Sequence, residues 1–436
     1  MSTPLNYLRN KTFAVYGLGV TGRSVINYFN KNGFKKYIIW DDDHKILKKT
    51  TGEKFNIIRK KFLKLINFVD YIVLSPGVNI KKAKLKNTLL KNKKKIITDL
   101  DLFYFINPNL STVMVTGTNG KSTTCKIIEH VLKKNKINTK LGGNIGSPIL
   151  NLNFNKNPLV IIEASSFQLA YSSFIKPDYA LLLNISKDHL DWHGTMNEYI
   201  KSKLKIFSLQ EKDNFAFINH KELIKKFKKN NYKSKIKFIN TNNLKIMKNK
   251  LKNEYLKSDS NIENMSFVYA LAKIFNINQK NFLNSVKSFK GLEHRNEIII
   301  NKKNIIIIND SKSTSFESSK SVLKNNKNIY WILGGLPKKG DVFRINNFKK
   351  NIIKAYIIGK NTKYFRKYLE RKVSFVLSNT LKKAVHTIFK EIKSSSDTKA
   401  TILFSPASAS YDQFKNFEDR GNKFKILIKP FLKKFR

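Results

Sequence analysis

The chain has 436 residues, of which 84 are Lys or Arg and 30 are Asp or Glu, so its formal net charge is +54. Hydrophobic residues make up 41% of the chain, which excludes a disordered or collagen-like polymer and leaves enough apolar side chains for about three domains. The single cysteine, Cys125, excludes an intramolecular disulfide, and the apolar runs are too short for a membrane span, so we expect a cytoplasmic protein without a signal peptide.

The excess of basic residues is open to two interpretations. Taken alone, a charge of +54 favours a nucleic-acid or anionic-membrane partner. The lysines, however, are spread over the whole chain, and neither a base-reading helix nor an RNA-binding aromatic pair is recognisable. We therefore expect solvated surface lysines that bind nucleic acid only non-specifically and that attract anionic substrates.

Short apolar strands alternate with helical stretches in three blocks, a pattern typical of doubly wound α/β domains. The predicted domains are residues 1–107, 108–293 and 294–436. Strands are predicted over residues 12–16, 37–40, 71–74, 112–116, 159–163, 179–184, 215–219, 329–333, 355–358, 374–377 and 401–404. Helices are predicted over residues 261–275 and 279–289 and a β-hairpin over 297–308, whereas residues 221–257 receive no assignment.

A glycine-rich turn, Gly17-Leu-Gly19-Val20-Thr21-Gly22, joins the first predicted strand to a helix, and Asp41 ends the next strand. Such a turn lets a diphosphate approach the backbone, so it fits NAD and a UDP-sugar equally well. Ser75-Pro76-Gly77 ends a later strand and is expected on the same edge of the sheet. The turn alone does not distinguish these two ligands from each other or from a purely structural role.

A second turn, Gly117-Thr118-Asn119-Gly120-Lys121-Ser122-Thr123, also lies between a strand and a helix. Its backbone N–H groups can hold phosphates, Lys121 can reach the terminal phosphates, and Ser122 can bind Mg²⁺. Val115 stands where the eight-residue P-loop pattern has its first glycine. The turn nevertheless predicts ATP binding.

Polar side chains follow two further strands of the second block, with Glu163 and Ser165 after one and Asp188 and His189 after the other. We expect them beside the phosphate-binding turn, where carboxylates and an imidazole suit Mg²⁺. His189 and His193 also allow zinc, although no further zinc motif accompanies them.

The third block has strand-end loops that are rich in Ser, Thr, Lys and Arg. They can bind carboxylates or simply cap helices, and they lie at residues 293–295, 309–314, 334–338 and 405–421.

Together these motifs resemble those of the ATP-dependent Mur ligases, in the same order and over nearly the whole chain. The motif at residues 117–123 is shared by all Mur ligases and by folylpolyglutamate synthetases. The motifs at residues 143–146, 163–168 and 188–191 narrow the resemblance to the Mur ligases. The segment of residues 405–421 resembles the D-glutamate-adding branch of that family. The resemblance implies a Rossmann-like UDP-binding domain, a central P-loop ATPase-like domain and a Rossmann-like C-terminal domain. It also implies ligation of D-glutamate to UDP-N-acetylmuramoyl-L-alanine through an acyl phosphate, in peptidoglycan synthesis.

The resemblance further implies roles for single positions. The catalytic residues would be Lys121, Glu163, His189 and Lys203. ATP would contact Gly117, Thr118, Asn119, Gly120, Lys121, Ser122, Thr123, Asn264, Arg295 and Asp310. The UDP substrate would contact Gly17, Gly19, Val20, Thr21, Gly22, Asp41, Ser75, Pro76, Gly77, Asn144 and Ser165. D-glutamate would contact Lys312, Thr314, Lys338, Ser410 and Phe417. Two Mg²⁺ ions would be held by Ser122, Glu163, His189 and a carbamylated Lys203.

The chain departs from the family pattern at three places. Ser260 replaces a histidine, Lys338 follows a Gly-Gly-Leu-Pro sequence, and the acidic triplet Asp41–Asp43 replaces the aspartate that the family has near the end of the second strand. Another amino-acid-adding Mur ligase therefore stays an alternative, as does, from the first glycine turn, a nicotinamide-dependent dehydrogenase. Lys201 and Lys205 are expected on other faces of the helix that carries Lys203, and to be dispensable. We expect the protein to be a monomer.

Overall fold

Three β-sheets organise the computed structural model, which describes residues 4–242, 244, 248–302, 304–338, 340–394 and 399–432. The strands of the first sheet are β1 Phe13–Tyr16, β2 Tyr37–Trp40, β3 Tyr71–Leu74 and β4 Ile96–Ile97. Those of the second are β5 Thr112–Thr116, β6 Thr139–Gly143, β7 Leu159–Glu163, β8 Tyr179–Leu182, β9 Phe215–Ile218 and β10 Lys235–Phe238. Those of the third are β11 Glu297–Lys302, β12 Ile305–Asn309, β13 Ile329–Gly334, β14 Ile352–Ile358, β15 Phe375–Asn379 and β16 Ala400–Phe404.

Helices connect these strands. In chain order they are α1 Pro4–Arg9, α2 Val20–Lys31, α3 His44–Thr51, α4 Phe55–Leu65, α5 Lys86–Lys91, α6 Asp99–Ile106, α7 Lys121–Lys134, α8 Ser166–Tyr171, α9 Leu190–His193, α10 Met196–Leu204, α11 Lys221–Lys229, α12 Asp259–Ile274, α13 Gln279–Lys287, α14 Phe316–Asn325, α15 Thr362–Leu369, α16 Leu381–Ser394 and α17 Phe417–Leu432. Within the described ranges, none of the helices combines the length and the apolar character that crossing a membrane requires.

The strand order is β2-β1-β3-β4 in the first sheet, β10-β9-β8-β5-β7-β6 in the second and β11-β12-β16-β13-β14-β15 in the third. The first two sheets are parallel throughout, and in the third only the β11–β12 pair is antiparallel. The central strands are continuous apolar runs that are buried on both faces, as parallel sheets covered by helices require. The predicted α/β fold is therefore confirmed.

The two faces of the second sheet belong to different hydrophobic clusters. Val113 and Val115 pack in a cluster with residues of α7 and α12, whereas Met114 points to the other face. The cluster that contains Met114 continues into the first sheet and includes Leu100 and Phe103 of α6. Because the first two sheets share this core, residues 1–289 form one compact unit and residues 290–436 a second one.

The predicted strands and the predicted hairpin are found, with ends that match the prediction or differ from it by up to three residues. Three short strands, β4, β6 and β10, were not predicted, because β4 has two residues, β6 ends in Gly142-Gly143 and β10 is an exposed edge strand. The unassigned stretch of residues 221–257 contains α11 and β10, and its residues 243 and 245–247 lie outside the described residues. The predicted domain boundaries at 107 and 293 stay predictions.

Candidate active site

The first glycine turn is closed by contacts that leave no room for a side chain at Gly17 or Gly22. Gly17 has a φ of +94°, and a Cβ atom on Gly22 would lie 1.8 Å from the Gly17 carbonyl oxygen. The Ser75 hydroxyl donates a hydrogen bond of 2.7 Å to that same oxygen. Because β1 and β3 pair in register, the structure brings Gly17–Gly22 and the segment of residues 75–77 to one edge of the first sheet.

Asp41 supports this turn through the backbone. Its carboxylate accepts hydrogen bonds from the backbone N–H groups of Leu18, at 2.7 Å, and Asp43, at 2.8 Å. Helix α2 then begins at Val20, and its N-cap residue, Gly19, has no side chain that could bond the first turn. Backbone N–H groups at such a helix start favour an anion, so the turn suits a diphosphate.

The second turn is fixed by two neighbours, Asn184, which follows β8, and Asn264 of α12. The Asn184 carbonyl accepts from the Thr118 N–H at 2.9 Å, and the Asn184 side chain accepts from the Asn119 N–H at 2.9 Å. Gly120 has a φ of +81°, and a Cβ atom there would lie 2.2 Å from Oδ1 of Asn264 on α12. Asn264 therefore lies against the second glycine turn, and its contact with ATP stays a prediction.

Two lysines converge on the carbonyl of Gly117. Lys121 Nζ donates to the carbonyl oxygens of Gly117 and Thr118, both at 2.9 Å, and Lys203 Nζ donates to that of Gly117 at 2.7 Å. Ser122 and Thr123, in the first turn of α7, are buried beside them. The charge of Lys121 and the N–H groups of the turn suit a bound polyphosphate.

Lys203 on α10 is unusual for a chain so rich in exposed lysines, because only 1% of it is exposed. Burial, and second the charge of Lys121, lowers the pKa of its amine well below the usual value. Nζ also lies 4.9 Å from the centre of the Tyr199 ring, whose hydroxyl is 2.9 Å from Thr118 Oγ1. The environment thus favours the neutral amine, which is the form that reacts with CO₂.

The expected position of Lys205 on helix α10 is wrong, whereas its dispensability for activity stays a prediction. Helix α10 ends at Leu204, and Lys205 Nζ donates to the carbonyl oxygens of Ala170, at 2.7 Å, and Ser172, at 3.2 Å. Lys205 is therefore a structural contact to the end of α8, and burial lowers the pKa of its amine. Lys201 is exposed, as expected.

Glu163 ends β7 beside the second turn, where it pairs in register with Val115 of β5. It is 2% exposed, and its Oε1 accepts from the Asn144 side chain at 2.7 Å. Its Oε2 is buried and has no hydrogen-bond partner within the described part of the chain. A buried carboxylate oxygen without a donor is costly unless a cation binds it, so Glu163 and the Ser122 hydroxyl are suitable oxygen ligands for Mg²⁺.

Over the described ranges, His, Cys, Asp and Glu side chains form no cluster of three or more that could hold a metal ion. This finding does not conflict with the predicted Mg²⁺ site, because Mg²⁺ is commonly held by one or two carboxylates, waters and substrate phosphates. It gives no support to the zinc alternative.

The two histidines after β8 differ in their surroundings. His189 has a φ of +51°, lies 3.3 Å from the Asp188 carboxylate, and its ring centre is 4.7 Å from that of Phe167. His193 is buried, and its Nε2 lies 3.0 Å from the Ser166 hydroxyl. Burial, and then the charges of His189 and Lys203, lowers the pKa of His193 to about 4. Of the two, His189 is the more exposed to a ligand.

Ser165 has a local structural role. It is the N-cap of α8 and forms a capping box with Gln168, whose side-chain Oε1 lies 3.0 Å from the Ser165 hydroxyl. The Gln168 Nε2 group points to Asp99, at 3.4 Å. Burial raises the pKa of the Asp99 carboxyl to about 6. The predicted substrate contacts of Ser165 and Asn144 stay predictions.

In the second unit, Arg420 joins two strand-end loops. It is 1% exposed and donates to the carbonyl oxygens of Ser311, at 2.6 Å, and Ser408, at 3.0 Å. Asp310, at the end of β12, accepts from the Ser405 hydroxyl at 2.7 Å, and burial raises the pKa of its carboxyl to about 6. Arg420 therefore holds together the loops that carry most of the predicted D-glutamate residues.

Four of the five predicted D-glutamate residues, Lys312, Thr314, Ser410 and Phe417, lie on the segments that Arg420 joins, and Lys338 follows β13. Lys312 Nζ lies 5.1 Å from the centre of the Phe417 ring, so the structure brings these two together. Ser410 is buried, and its carbonyl accepts from the Phe414 N–H at 2.9 Å. Thr314 and Lys338 are exposed, and Arg295 is half-buried. All of these residues belong to the unit of residues 290–436.

Sequence reasoning assigned no role to three residues that shape these loops: Asn184, Tyr199 and Arg420. Asn184 follows a strand, which is a usable signal because parallel strands end at a common edge. Tyr199 and Arg420 lie on helices, and nothing in the local pattern distinguishes them from surface residues.

Comparison with known proteins places these features in a family. The Mur ligase middle domain matches residues 115–289, and the Mur ligase MurD-like N-terminal domain matches residues 11–98. The UDP-N-acetylmuramoylalanine–D-glutamate ligase of Rickettsia prowazekii (strain Madrid E) is 36% identical over 447 residues, covering 98% of this chain and 99% of the relative. The enzyme of the same name from Wolbachia pipientis wMel is 33% identical over 96% of both chains.

Solved structures agree with this fold. UDP-N-acetylmuramate-alanine ligase MurC from Thermotoga maritima superposes with a TM-score of 0.55 at 18% identity, covering 97% of this chain and 100% of that one. MurF ligase from Thermotoga maritima in complex with ADP gives a TM-score of 0.55 at 15% identity, with both chains covered completely. With its two glycine turns, the buried Glu163 and a relative that is 36% identical along its whole length, the chain belongs to the Mur ligase family.

Proposed function

We propose that this protein is the Mur ligase that adds D-glutamate to UDP-N-acetylmuramoyl-L-alanine, with ATP as the energy source, in the cytoplasm and as a monomer. The full-length similarity to relatives named UDP-N-acetylmuramoylalanine–D-glutamate ligase supports the choice of substrates. The observation that carries the chemistry is the arrangement of Lys121, Lys203 and a Glu163 oxygen without a partner among the described residues around one glycine turn. Membership of the family removes the dehydrogenase alternative.

In the proposed reaction, the carboxylate of the substrate's alanine attacks the γ-phosphorus of ATP, and ADP leaves. The acyl phosphate so formed is attacked by the neutral amine of D-glutamate. The tetrahedral intermediate loses phosphate as the nitrogen loses its proton, which leaves an amide. Lys121 and the N–H groups of residues 117–123 stabilise the phosphate charge, and the chain's main contribution is to align the reacting groups.

Glu163 and Ser122 would hold Mg²⁺, with His189 as a further contact. The bound ion would neutralise phosphate charge and orient the terminal phosphoryl group. We propose that Lys203 reacts with CO₂ through its neutral amine, loses one proton and becomes a carbamate. A carbamate offers anionic oxygens to a hard cation, whereas an ammonium group would repel the ion.

The experiment that tests this function is phosphate release from ATP with Mg²⁺ and UDP-N-acetylmuramoyl-L-alanine, in the presence of one amino acid at a time. We expect turnover with D-glutamate and at least about 100-fold less with L-glutamate or meso-diaminopimelate, since each misplaced carboxylate leaves polar groups unpaired. Comparable turnover with L-alanine or diaminopimelate would assign the chain to another amino-acid-adding Mur ligase instead.

A further inference from the structure

In the first unit, the segment of residues 79–82 contacts the loop of residues 188–194. The side-chain Nδ2 of Asn79 donates to the Trp192 carbonyl at 2.9 Å, and Lys82 Nζ donates to the Asp191 carbonyl at 3.1 Å. Asn79 follows Gly77 by two residues, and Trp192 lies three residues after His189. The segment that follows residues 75–77 therefore contacts the loop that carries His189.

The amide of Asn79 is held in one orientation. Its Oδ1 accepts from the Lys81 N–H at 2.9 Å, which makes Asn79 the N-cap of the 3₁₀ turn Ile80–Lys82. The Ile80 N–H in turn donates to the Tyr171 hydroxyl at 3.1 Å. With its oxygen used by this cap, the Asn79 amide presents its N–H₂ group to the Trp192 carbonyl.

The 188–194 loop depends on such support from outside. His189 and Gly194, on either side of α9, both have left-handed backbones, with φ of +51° and +88°. The indole N–H of Trp192 is buried and has no acceptor among the described residues. At His189, a non-glycine residue, such a conformation persists only where the surroundings hold it, whereas Gly194 adopts it freely. Phe167 of α8 packs against the loop, with its ring centre 4.8 Å from that of Trp192. Asn79, in the segment that follows β3, supplies a hydrogen bond to the same loop.

We propose that Asn79 is a positioning residue, which holds the 188–194 loop through the Trp192 carbonyl and so ties the placement of His189 to the turn of residues 75–77. This inference rests on the proposed function, because the UDP-linked substrate of that function is predicted to contact residues 75–77. A nucleotide that orders the turn then also steadies the loop beside the phosphate-binding site. UDP binding and the assembly of the phosphate-transfer site become linked through one side chain.

The substitution Asn79→Asp keeps one hydrogen bond of this side chain, to the Lys81 N–H, and removes the other, to the Trp192 carbonyl. An aspartate keeps an oxygen for the Lys81 N–H, but it replaces the donor to Trp192 with a second oxygen that the carbonyl repels. Asn278→Asp is the matched control, because Asn278 caps α13 by accepting from the Asn281 N–H at 2.9 Å. Aspartate and asparagine cap helices equally well, so the control keeps its structure.

Hydrogen exchange of the loop reports the effect without any catalysis. The backbone N–H groups of Trp192 and His193 donate to the His189 carbonyl, and that of Gly194 donates to the Leu190 carbonyl at 2.8 Å. In Asn79→Asp we expect these three amides to exchange about five to ten times faster than in the wild type, the effect of losing one hydrogen bond. Asn278→Asp is expected to match the wild type. Equal exchange in Asn79→Asp and the wild type would overturn the proposal.

Adding UDP distinguishes this inference from the function on which it rests. We expect UDP to slow exchange over residues 17–22 in all three proteins, and over residues 192–194 in the wild type and the control only. Slowing at 17–22 without slowing at 192–194 in the wild type would overturn the link. No slowing at 17–22 would overturn the UDP site itself, while the nucleotide-free comparison still decides the role of Asn79.

Discussion

The role proposed for Lys203 could be predicted from the sequence, but its environment could not. In a chain with 84 Lys and Arg residues, composition favours a solvated side chain at any one lysine, and only the family resemblance singles this one out. Its burial and its 2.7 Å bond to Gly117 could not be predicted, because both depend on how α10 packs against the turn after β5. The same limit applies to Arg420, which is buried although it lies in a strongly polar segment.

The proposed carbamate predicts that Lys203→Ala stays folded and loses at least about 100-fold in kcat, because a charged ligand of the metal is removed. Acetate or formate should restore part of the activity by supplying a carboxylate. The measurement is the rate of phosphate release with and without acetate. Exposed Lys201, on the same helix, is the control, and Lys201→Ala should be nearly neutral. Full kcat of Lys203→Ala at low bicarbonate would disprove the carbamate.

His193 makes stability depend on pH in a definite direction. Its pKa falls from 6.5 to about 4 on folding, so its contribution is present above pH 6.5 and is lost as the pH falls through 4. Between pH 7 and pH 5, we expect the wild type to lose about 2 kcal/mol more unfolding free energy than His193→Gln, which keeps a donor for Ser166. Urea unfolding at the two pH values measures this difference. A pH dependence that is identical in both proteins would contradict the assignment.

At the scale of elements, the sequence is most informative where strands end in glycine turns. Both turns and the strands before them were predicted, because an apolar run followed by a Gly-rich segment is compatible with few local structures other than a buried strand and a tight turn. The edge strands β4, β6 and β10 were not, since short or exposed strands lack the apolar run that distinguishes the central ones. The contact between residues 79–82 and the loop after β8 is also absent from any local pattern.

The first turn predicts a contrast between two of its glycines. A Cβ atom at Gly22 would lie 1.8 Å from the Gly17 carbonyl, whereas one at Gly19 would have no heavy atom within 4 Å. Gly22→Ala should therefore cost about 3 kcal/mol and weaken UDP binding, while Gly19→Ala should stay within about 1 kcal/mol of the wild type. Thermal unfolding of the two variants with and without UDP measures both effects. Equal midpoints for the two variants would show that the turn can relax around a side chain.

At the scale of the whole molecule, we expect the charge of +54 to affect non-specific binding of anions and not the choice of the ligase substrates. If the lysines are a solvated surface, binding to duplex DNA should be weak and should fall at least about 100-fold between roughly 50 and 200 mM salt. Ligase activity should fall far less, because the lysines around Gly117 are partly or fully buried. Filter binding and phosphate release over one salt series compare the two. DNA binding that is sequence-specific and resists salt would contradict this interpretation.

The most direct test of the account follows the oxygen atoms of the substrate. UDP-N-acetylmuramoyl-L-alanine labelled with ¹⁸O in its carboxylate is incubated with ATP, Mg²⁺, D-glutamate and the enzyme, and the phosphate released is analysed by mass spectrometry. An acyl phosphate predicts that one labelled oxygen passes from the carboxylate to inorganic phosphate for each amide formed, and that L-glutamate yields almost none. Unlabelled phosphate, or label recovered in AMP, would contradict the acyl-phosphate mechanism proposed for this chain.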